Sequence, residues 1–208
     1  MLETLESRRL LAATLSEGTL TIIGTNRSDR IEVIRRDDDV QIRVELNGAE
    51  SRFRFFDVER IHISGGRGND FIEFSGRDGG IYFPSNVSGG KGNDTIHTGL
   101  GDDTLSGGNG HDRIEGDSGE DLITGGNGDD SIQGDNGHDT LRGDAGNDIL
   151  SGNRHRDHLA GGAGDDDLRG GRDIDSVFGN SGNDDFATDP VLEIKDRKNE
   201  DELENRRR

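Results

Sequence analysis

A period of nine constrains this chain more than any other feature. From Gly89 onward the sequence divides without a gap into nonapeptides beginning at Gly89, Thr98, Gly107, Gly116, Gly125, Gly134, Gly143, Gly152, Gly161, Gly170 and Gly179, the last ending at Ala187. The sixth residue of every block is aspartate: Asp94, Asp103, Asp112, Asp121, Asp130, Asp139, Asp148, Asp157, Asp166, Asp175 and Asp184. The eighth is apolar in every block: Ile96, Leu105, Ile114, Ile123, Ile132, Leu141, Leu150, Leu159, Leu168, Val177 and Phe186. Position one is Gly except at Thr98, and position four is Gly except at His155 and Asp173. An earlier copy, Gly65–Glu73, stands out of register and contributes Asp70. Such a repeat specifies a solenoid, in which each unit buries its apolar side against its neighbours.

Composition alone would give a different answer. Only 27% of the 208 residues are hydrophobic, there are 34 glycines, and the formal charge is −19. Those values resemble a disordered chain, and the periodic order of the residues overrides them. The charge disfavours nucleic acid as a partner, because phosphate binding needs a basic stripe. Cations are the natural partners. The chain has no cysteine, which excludes disulfides and thiolate metal sites. It has no apolar run long enough for a transmembrane helix.

The spacing fixes the local structure. Positions seven to nine make a short strand whose middle side chain faces one way and whose flanking ones face the other. Position eight therefore points inward, and its polar neighbours, such as Thr95, His97, Thr104, Ser106, Arg113, Glu115 and Thr124, point to water. Positions one to six form the turn. Glycine there permits positive φ and lets carbonyl oxygens crowd inward. With a carboxylate at position six, the donors are all hard oxygens, which suits Ca²⁺ with its 6–8 oxygen ligands better than zinc or copper.

Stacking identical turns about 4.8 Å apart puts like carboxylates side by side. At an effective dielectric of about 20, each neighbouring pair repels by roughly 3–4 kcal/mol. Residues 89–187 hold 22 Asp or Glu against 7 Lys or Arg, so most of the negative charge lies in this segment. Divalent ions between the coils would turn that repulsion into attraction and couple metal binding to folding.

The consensus Gly-Gly-x-Gly-x-Asp-x-apolar-x over roughly residues 65–187 resembles the RTX, or haemolysin-type, calcium-binding nonapeptide repeat. The resemblance implies an all-β fold, a parallel β-roll in which two nonapeptides make one coil. It implies several Ca²⁺ ions held between blocks two apart by backbone carbonyls and aspartates. The ligands are then expected to be Asp70, Asp94, Asp103, Asp112, Asp121, Asp130, Asp139, Asp148, Asp157, Asp166, Asp175 and Asp184. Sites that use the turns of Gly152–Ala160, with Arg154, His155 and Arg156, and of Gly170–Phe178, with Asp173 and Ile174, are expected to be weak or empty. Asp117, Asp135, Asp144, Asn153 and Asn180 at position two read as solvated turn residues. His155 and His158 are three apart, and read as loop histidines rather than a transition-metal pair.

Four domains are expected. Residues 1–15 are a leader or frayed segment; Leu5–Ala13 resembles an N-terminal leader of planctomycete-type surface and secreted proteins. Residues 16–64 are a β-rich N-terminal cap with strands at Thr19–Ile23, Arg30–Arg35, Val40–Leu46, Arg52–Phe56 and Arg60–Ser64 and a tight turn at Asn47-Gly48; a separate small sandwich is the alternative. Residues 65–187 are the calcium-binding roll, with an insert at 74–88 in which Ile81-Tyr82-Phe83-Pro84 reads as a strand. Residues 188–208 are a charged tail, unlike the C-terminal secretion signal usual in RTX proteins exported by the one-step type I route.

No HExxH, nucleophile elbow, P-loop, dinucleotide-binding glycine pattern or EF-hand loop occurs. The chain therefore reads as a non-enzymatic, calcium-folded structural or binding module, extracellular or at the cell surface. A calcium-dependent adhesin or matrix protein with an unidentified surface partner is the alternative, ahead of a secreted enzyme or toxin fragment.

Overall fold

The computed structural model describes residues 12–35, 40–76, 80–187 and 193–194. The expected leader falls largely outside them, as does most of the charged tail; both expectations lie beyond the described residues except at Ala12–Ser16 and Glu193–Ile194.

Among the described residues two ten-stranded sheets face each other, and from Arg60 onward the chain alternates between them. The first sheet runs, in spatial order, from Ala12–Ser16 and Thr19–Ile23 through Arg60–Arg67, Ser85–Lys91, Thr104–Asn109, Leu122–Asn127, Thr140–Ala145, His158–Ala163 and Ser176–Ser181 to Glu193–Ile194. The second runs from Ala49–Arg54, Gln41–Leu46 and Arg30–Arg35 through Phe71–Gly76, Thr95–His97, Arg113–Glu115, Ser131–Asn136, Ile149–Arg154 and Asp167–Gly171 to Asp185–Phe186. Strands eighteen residues apart pair in parallel register, as Leu105 with Ile123 and Ile114 with Ile132. The parallel β-roll is thus the fold of this chain, with two nonapeptides to the coil.

The apolar eighth positions form the core. In the first sheet Val87, Leu105, Ile123, Leu141, Leu159 and Val177 stack, and in the second Ile72, Ile96, Ile114, Ile132, Leu150 and Leu168 face them, all essentially inaccessible. Burying such side chains contributes about 1.5–3 kcal/mol each.

The described strands between Ala12 and Arg67 belong to the same two sheets as the roll. Thr19–Ile23 pairs in parallel with Arg60–Arg67, and Arg30–Arg35 with Phe71–Gly76. The far ends are antiparallel hairpins. The hairpin turn at Asn47 (φ 51°) and Gly48 (φ 79°) leaves no loop, so the next strand is Ala49–Arg54 and Phe55–Asp57 becomes a short 3₁₀ turn. The expected strand Arg52–Phe56 is displaced for that reason. The insert differs too. Ile81–Pro84 is not a strand; Ile81 is buried, its carbonyl accepts the Leu100 N–H at 2.7 Å, and Tyr82 and Phe83 pack on Phe55.

Candidate metal centre

Because the coil holds two nonapeptides, alternate blocks turn on opposite edges of the roll. The expected ligands therefore split into two columns. Asp70, Asp94, Asp112, Asp130, Asp148, Asp166 and Asp184 line the first edge, where the chain passes from first sheet to second. Asp103, Asp121, Asp139, Asp157 and Asp175 line the second.

Within each column one carboxylate oxygen is used by the fold. The N–H of Asp94 donates to Oδ1 of Asp112 at 2.7 Å, that of Asp112 to Asp130 at 2.7 Å, and that of Asp130 to Asp148 at 2.8 Å. The second edge repeats this from Asp103 to Asp121 at 2.9 Å and from Asp121 to Asp139 at 3.0 Å. Asp175 and Asp184 continue the columns by accepting the N–H groups of Asp157 and Asp166. Each bond ties a turn to the coil after it.

The other oxygen is left over by the fold. Oδ2 is buried and accepts no hydrogen bond in Asp70, Asp94, Asp112, Asp121, Asp130, Asp139, Asp148, Asp157 and Asp166. Buried polar atoms are nearly always satisfied, and an orphaned carboxylate oxygen is costly. Its surroundings are oxygen-rich. A Cβ built on Gly143 would lie 2.1 Å from Asp148 Oδ2 and 2.6 Å from the Gly161 carbonyl oxygen; on Gly152 it would lie 2.3 Å from Asp157 Oδ2 and 2.6 Å from that of Gly170. Position one is glycine because carboxylate and carbonyl oxygens converge there. The residues fit a hard divalent ion, Ca²⁺ above all, which would supply the missing counter-charge.

Desolvation shows in the acid–base behaviour. Burial pushes Asp70, Asp139 and Asp166 up to about 6, Asp94 and Asp130 up to about 7, and Asp121 and Asp157 up to about 8. Backbone hydrogen bonds oppose the rise without cancelling it, and neighbouring aspartates in the column add to it.

Asp29 is an instructive contrast. It holds the sixth position of the degenerate unit Gly24–Glu32, and its N–H donates to Asp70 Oδ1 at 2.8 Å. Its own oxygens are satisfied by protein: Oδ2 by the Thr25 N–H at 2.6 Å, Oδ1 by Asn47 Nδ2 at 2.6 Å. The first-edge column thus ends on a carboxylate whose two oxygens both have protein donors.

The residues at position two are turn residues of a definite kind. Asp117, Asp135, Asp144, Asn153 and Asn180 take φ of 69–76°, the left-handed region that Asn and Asp tolerate best after glycine. His155 and Asp173 at position four do the same, at 75° and 80°. His155 packs beside His138 and His158 against Phe178, so the two do not form a pair.

Two features are not evident in a block-by-block reading. The first is position five. On the first edge its side chains, from Ser28 through Asn69, Asn93, His111, Asp129 and Asn147 to Asp165, each accept the position-five N–H of the following coil at 2.8–3.0 Å. Sorting the blocks by parity would have revealed the run of Asn, Asp and His. The second is Thr98. Its side chain occupies the position-one site, fully buried, and its hydroxyl donates to the Gly116 carbonyl at 3.3 Å. The Ser85 and Thr98 hydroxyls lie beside the Asp103 carboxyl and offset part of the upward push of burial.

Comparison with known proteins agrees with this geometry. A model of the RTX calcium-binding nonapeptide repeat, four copies long, matches residues 62–75, 86–114, 106–141, 115–150, 124–159, 133–168 and 160–189. No curated protein and no solved structure matches the chain.

Proposed function

The chain belongs to the RTX calcium-binding nonapeptide repeat family, and on that premise we propose that its buried aspartate columns are calcium ligands and that the ions complete the fold. The observation that supports this most is the set of buried Oδ2 atoms with no hydrogen-bond partner, repeated coil after coil beside converging carbonyls. Bound calcium would supply positive charge between carboxylates that otherwise repel. The protein's own residues position the donors: glycine at position one clears the space, and the Oδ1 bond aims each carboxylate.

The proposed role is a calcium-folded structural or binding module that works outside the cell or at its surface. Extracellular calcium modules work with dissociation constants of about 10⁻⁴–10⁻³ M. Sites in that range would be empty in the cytosol and filled outside, so the roll would assemble after export. The first edge, with glycine at positions one and four of every unit from Gly65 to Gly182, would hold the stronger ladder.

Far-ultraviolet circular dichroism during a calcium titration, followed by chelator, tests this reading. The expected result is β-structure that grows with calcium and collapses with chelator. A spectrum indifferent to both would refute it.

A further inference from the structure

The outer face of the second sheet carries a different kind of cluster. His97 ends the strand Thr95–His97 and pairs in register with Glu115 of Arg113–Glu115. Both are ninth-position residues, so their side chains leave the sheet on the solvent side, one coil apart. Asp117 follows Glu115 by two residues, across Gly116, with its backbone held at φ 69°. The three side chains converge. His97 Nε2 lies 2.9 Å from Asp117 Oδ2 and 3.9 Å from Glu115 Oε1, and one donor atom from each residue lies within 4.8 Å of the others.

The chemistry of this set differs from that of the ladders. It offers an imidazole nitrogen and two carboxylates, where the turns offer oxygen alone. Calcium prefers all-oxygen sites, whereas first-row transition ions take mixed nitrogen and oxygen donors readily. A neutral imidazole with two carboxylates carries the charge that neutralises one divalent ion. Three protein ligands leave positions for water, as in open rather than closed metal sites. The neighbours favour a cation: Glu73 pairs with His97 on its other side, and Asp135 stands one coil beyond Asp117, its carboxyl pushed up by burial and then by the charges of Glu115 and Asp117. Arg113 reaches Glu115 through the other oxygen, Oε2, at 3.7 Å and leaves Oε1 toward the imidazole.

The combination occurs at this coil because of sequence at three places. Along the same ninth-position column the partners are Glu73, His97, Glu115, Gln133, Ser151 and Arg169. Only His97 places an imidazole between carboxylates there. The second-position column supplies Asp117 where the preceding coil has Gly99. Side-chain exposures of 35%, 28% and 42% leave the cluster open to ions from solution.

We propose that His97, Glu115 and Asp117 form a site for a divalent first-row transition ion, of the zinc or cobalt class, on the outer face of the second sheet and separate from the calcium ladders. This goes beyond the calcium reading and does not depend on it.

The test adds Co²⁺ to the full chain in saturating calcium and follows visible absorption together with the ring signals of the histidines by NMR. A single cobalt ion per chain should bind, broaden the His97 ring first, and leave calcium in place. Altering merely supporting residues of metal sites costs about 10–100-fold in affinity, so H97Q and D117N should each weaken cobalt at least tenfold. Their calcium titrations should match the parent, and H155Q should bind cobalt like the parent. Cobalt that binds H97Q as well as the parent, follows His155 instead, or displaces calcium overturns the proposal and leaves adventitious surface binding.

Discussion

The two edges of the roll are written in the same nonapeptide, yet they are different structures. On the first edge position one and position four are glycine in all seven units from Gly65 to Gly182. Position five there forms a continuous hydrogen-bonded column, and the aspartate column ends on Asp29, whose carboxylate is satisfied by protein donors. On the second edge Thr98 fills the first position-one site, His155 and Asp173 replace the fourth-position glycine in the last two turns, and Arg156 and Ile174 stand where acceptors would continue the outer column. The sequence repeats every nine residues and the structure every eighteen. Departures that look scattered along the chain therefore gather on one edge, and the proposed ladder of ions, which needs consecutive intact turns, would run the full length of the other.

The comparison is sharpest under metal removal. Chelator should cost most of the β-structure of residues 65–187, measured by circular dichroism. The N-terminal strands, with Leu20, Ile22, Ile31, Val33, Ile42 and Val44 buried and antiparallel hairpins closing the end, should keep more amide protection in hydrogen exchange. Equal loss in both regions would break the distinction.

Single aspartates come next. Asp130→Ala removes a proposed calcium ligand from the middle of the first edge and leaves the buried Asp112 N–H without its acceptor. An unsatisfied buried donor alone costs about 1–3 kcal/mol. Asp175→Ala, in the turn that carries Asp173 and Ile174, leaves the Asp157 N–H without its acceptor in the same way, so urea unfolding in calcium should show that loss for both variants and a further loss, from the weakened ion site, for Asp130→Ala alone. Gly143→Ala should act in the same sense, because its methyl group would meet Asp148 Oδ2. Overpacking of this kind costs about 1–3 kcal/mol, read as a rightward shift of the calcium midpoint.

The pH dependence follows from the raised carboxyls. Burial lifts Asp94 and Asp130 to about 7 and Asp121 and Asp157 to about 8, well above their unfolded values. The folded roll therefore binds more protons than the unfolded chain between the ordinary carboxylate range and those values. Without metal, the contribution of these protonated carboxyls to stability is fully present below the ordinary carboxylate range and is lost as pH rises from there through about 6–8. In chelator, circular dichroism should show more β-structure at pH 5 than at pH 8, and saturating calcium should remove that difference. The smallest effect is a gain. Thr98→Gly clears the position-one site of the second edge and should raise the number of calcium ions counted by calorimetry; an unchanged count would mean Thr98 is no plug.

Much of this was legible in the sequence, for physical reasons. A sixth-position aspartate and an eighth-position apolar residue at fixed spacing leave one packing solution, and Ile96, Ile114 and Ile132 stack as the spacing requires. The orphaned Oδ2 atoms belong to the residues the repeat had singled out. Illegible were features that depend on which blocks become neighbours. The fifth-position column and the pairing of His97 with Glu115 and Asp117 join residues 18 or more apart in sequence through the coil geometry. Ile81–Pro84 reads as a strand by propensity, but its backbone is recruited by Leu100 and its rings by Phe55. Arg52–Phe56 shifted because the two-residue turn at Asn47-Gly48 sets the register before propensity can.

The most direct test is a crystal structure grown in calcium, with the ions located by anomalous scattering. The account predicts ions in an unbroken file along the first edge, each against a sixth-position Oδ2 and a position-one carbonyl, with the Thr98 site vacant and the His155 and Asp173 turns poorly filled. A well-ordered roll whose first-edge Oδ2 atoms meet only water would contradict it.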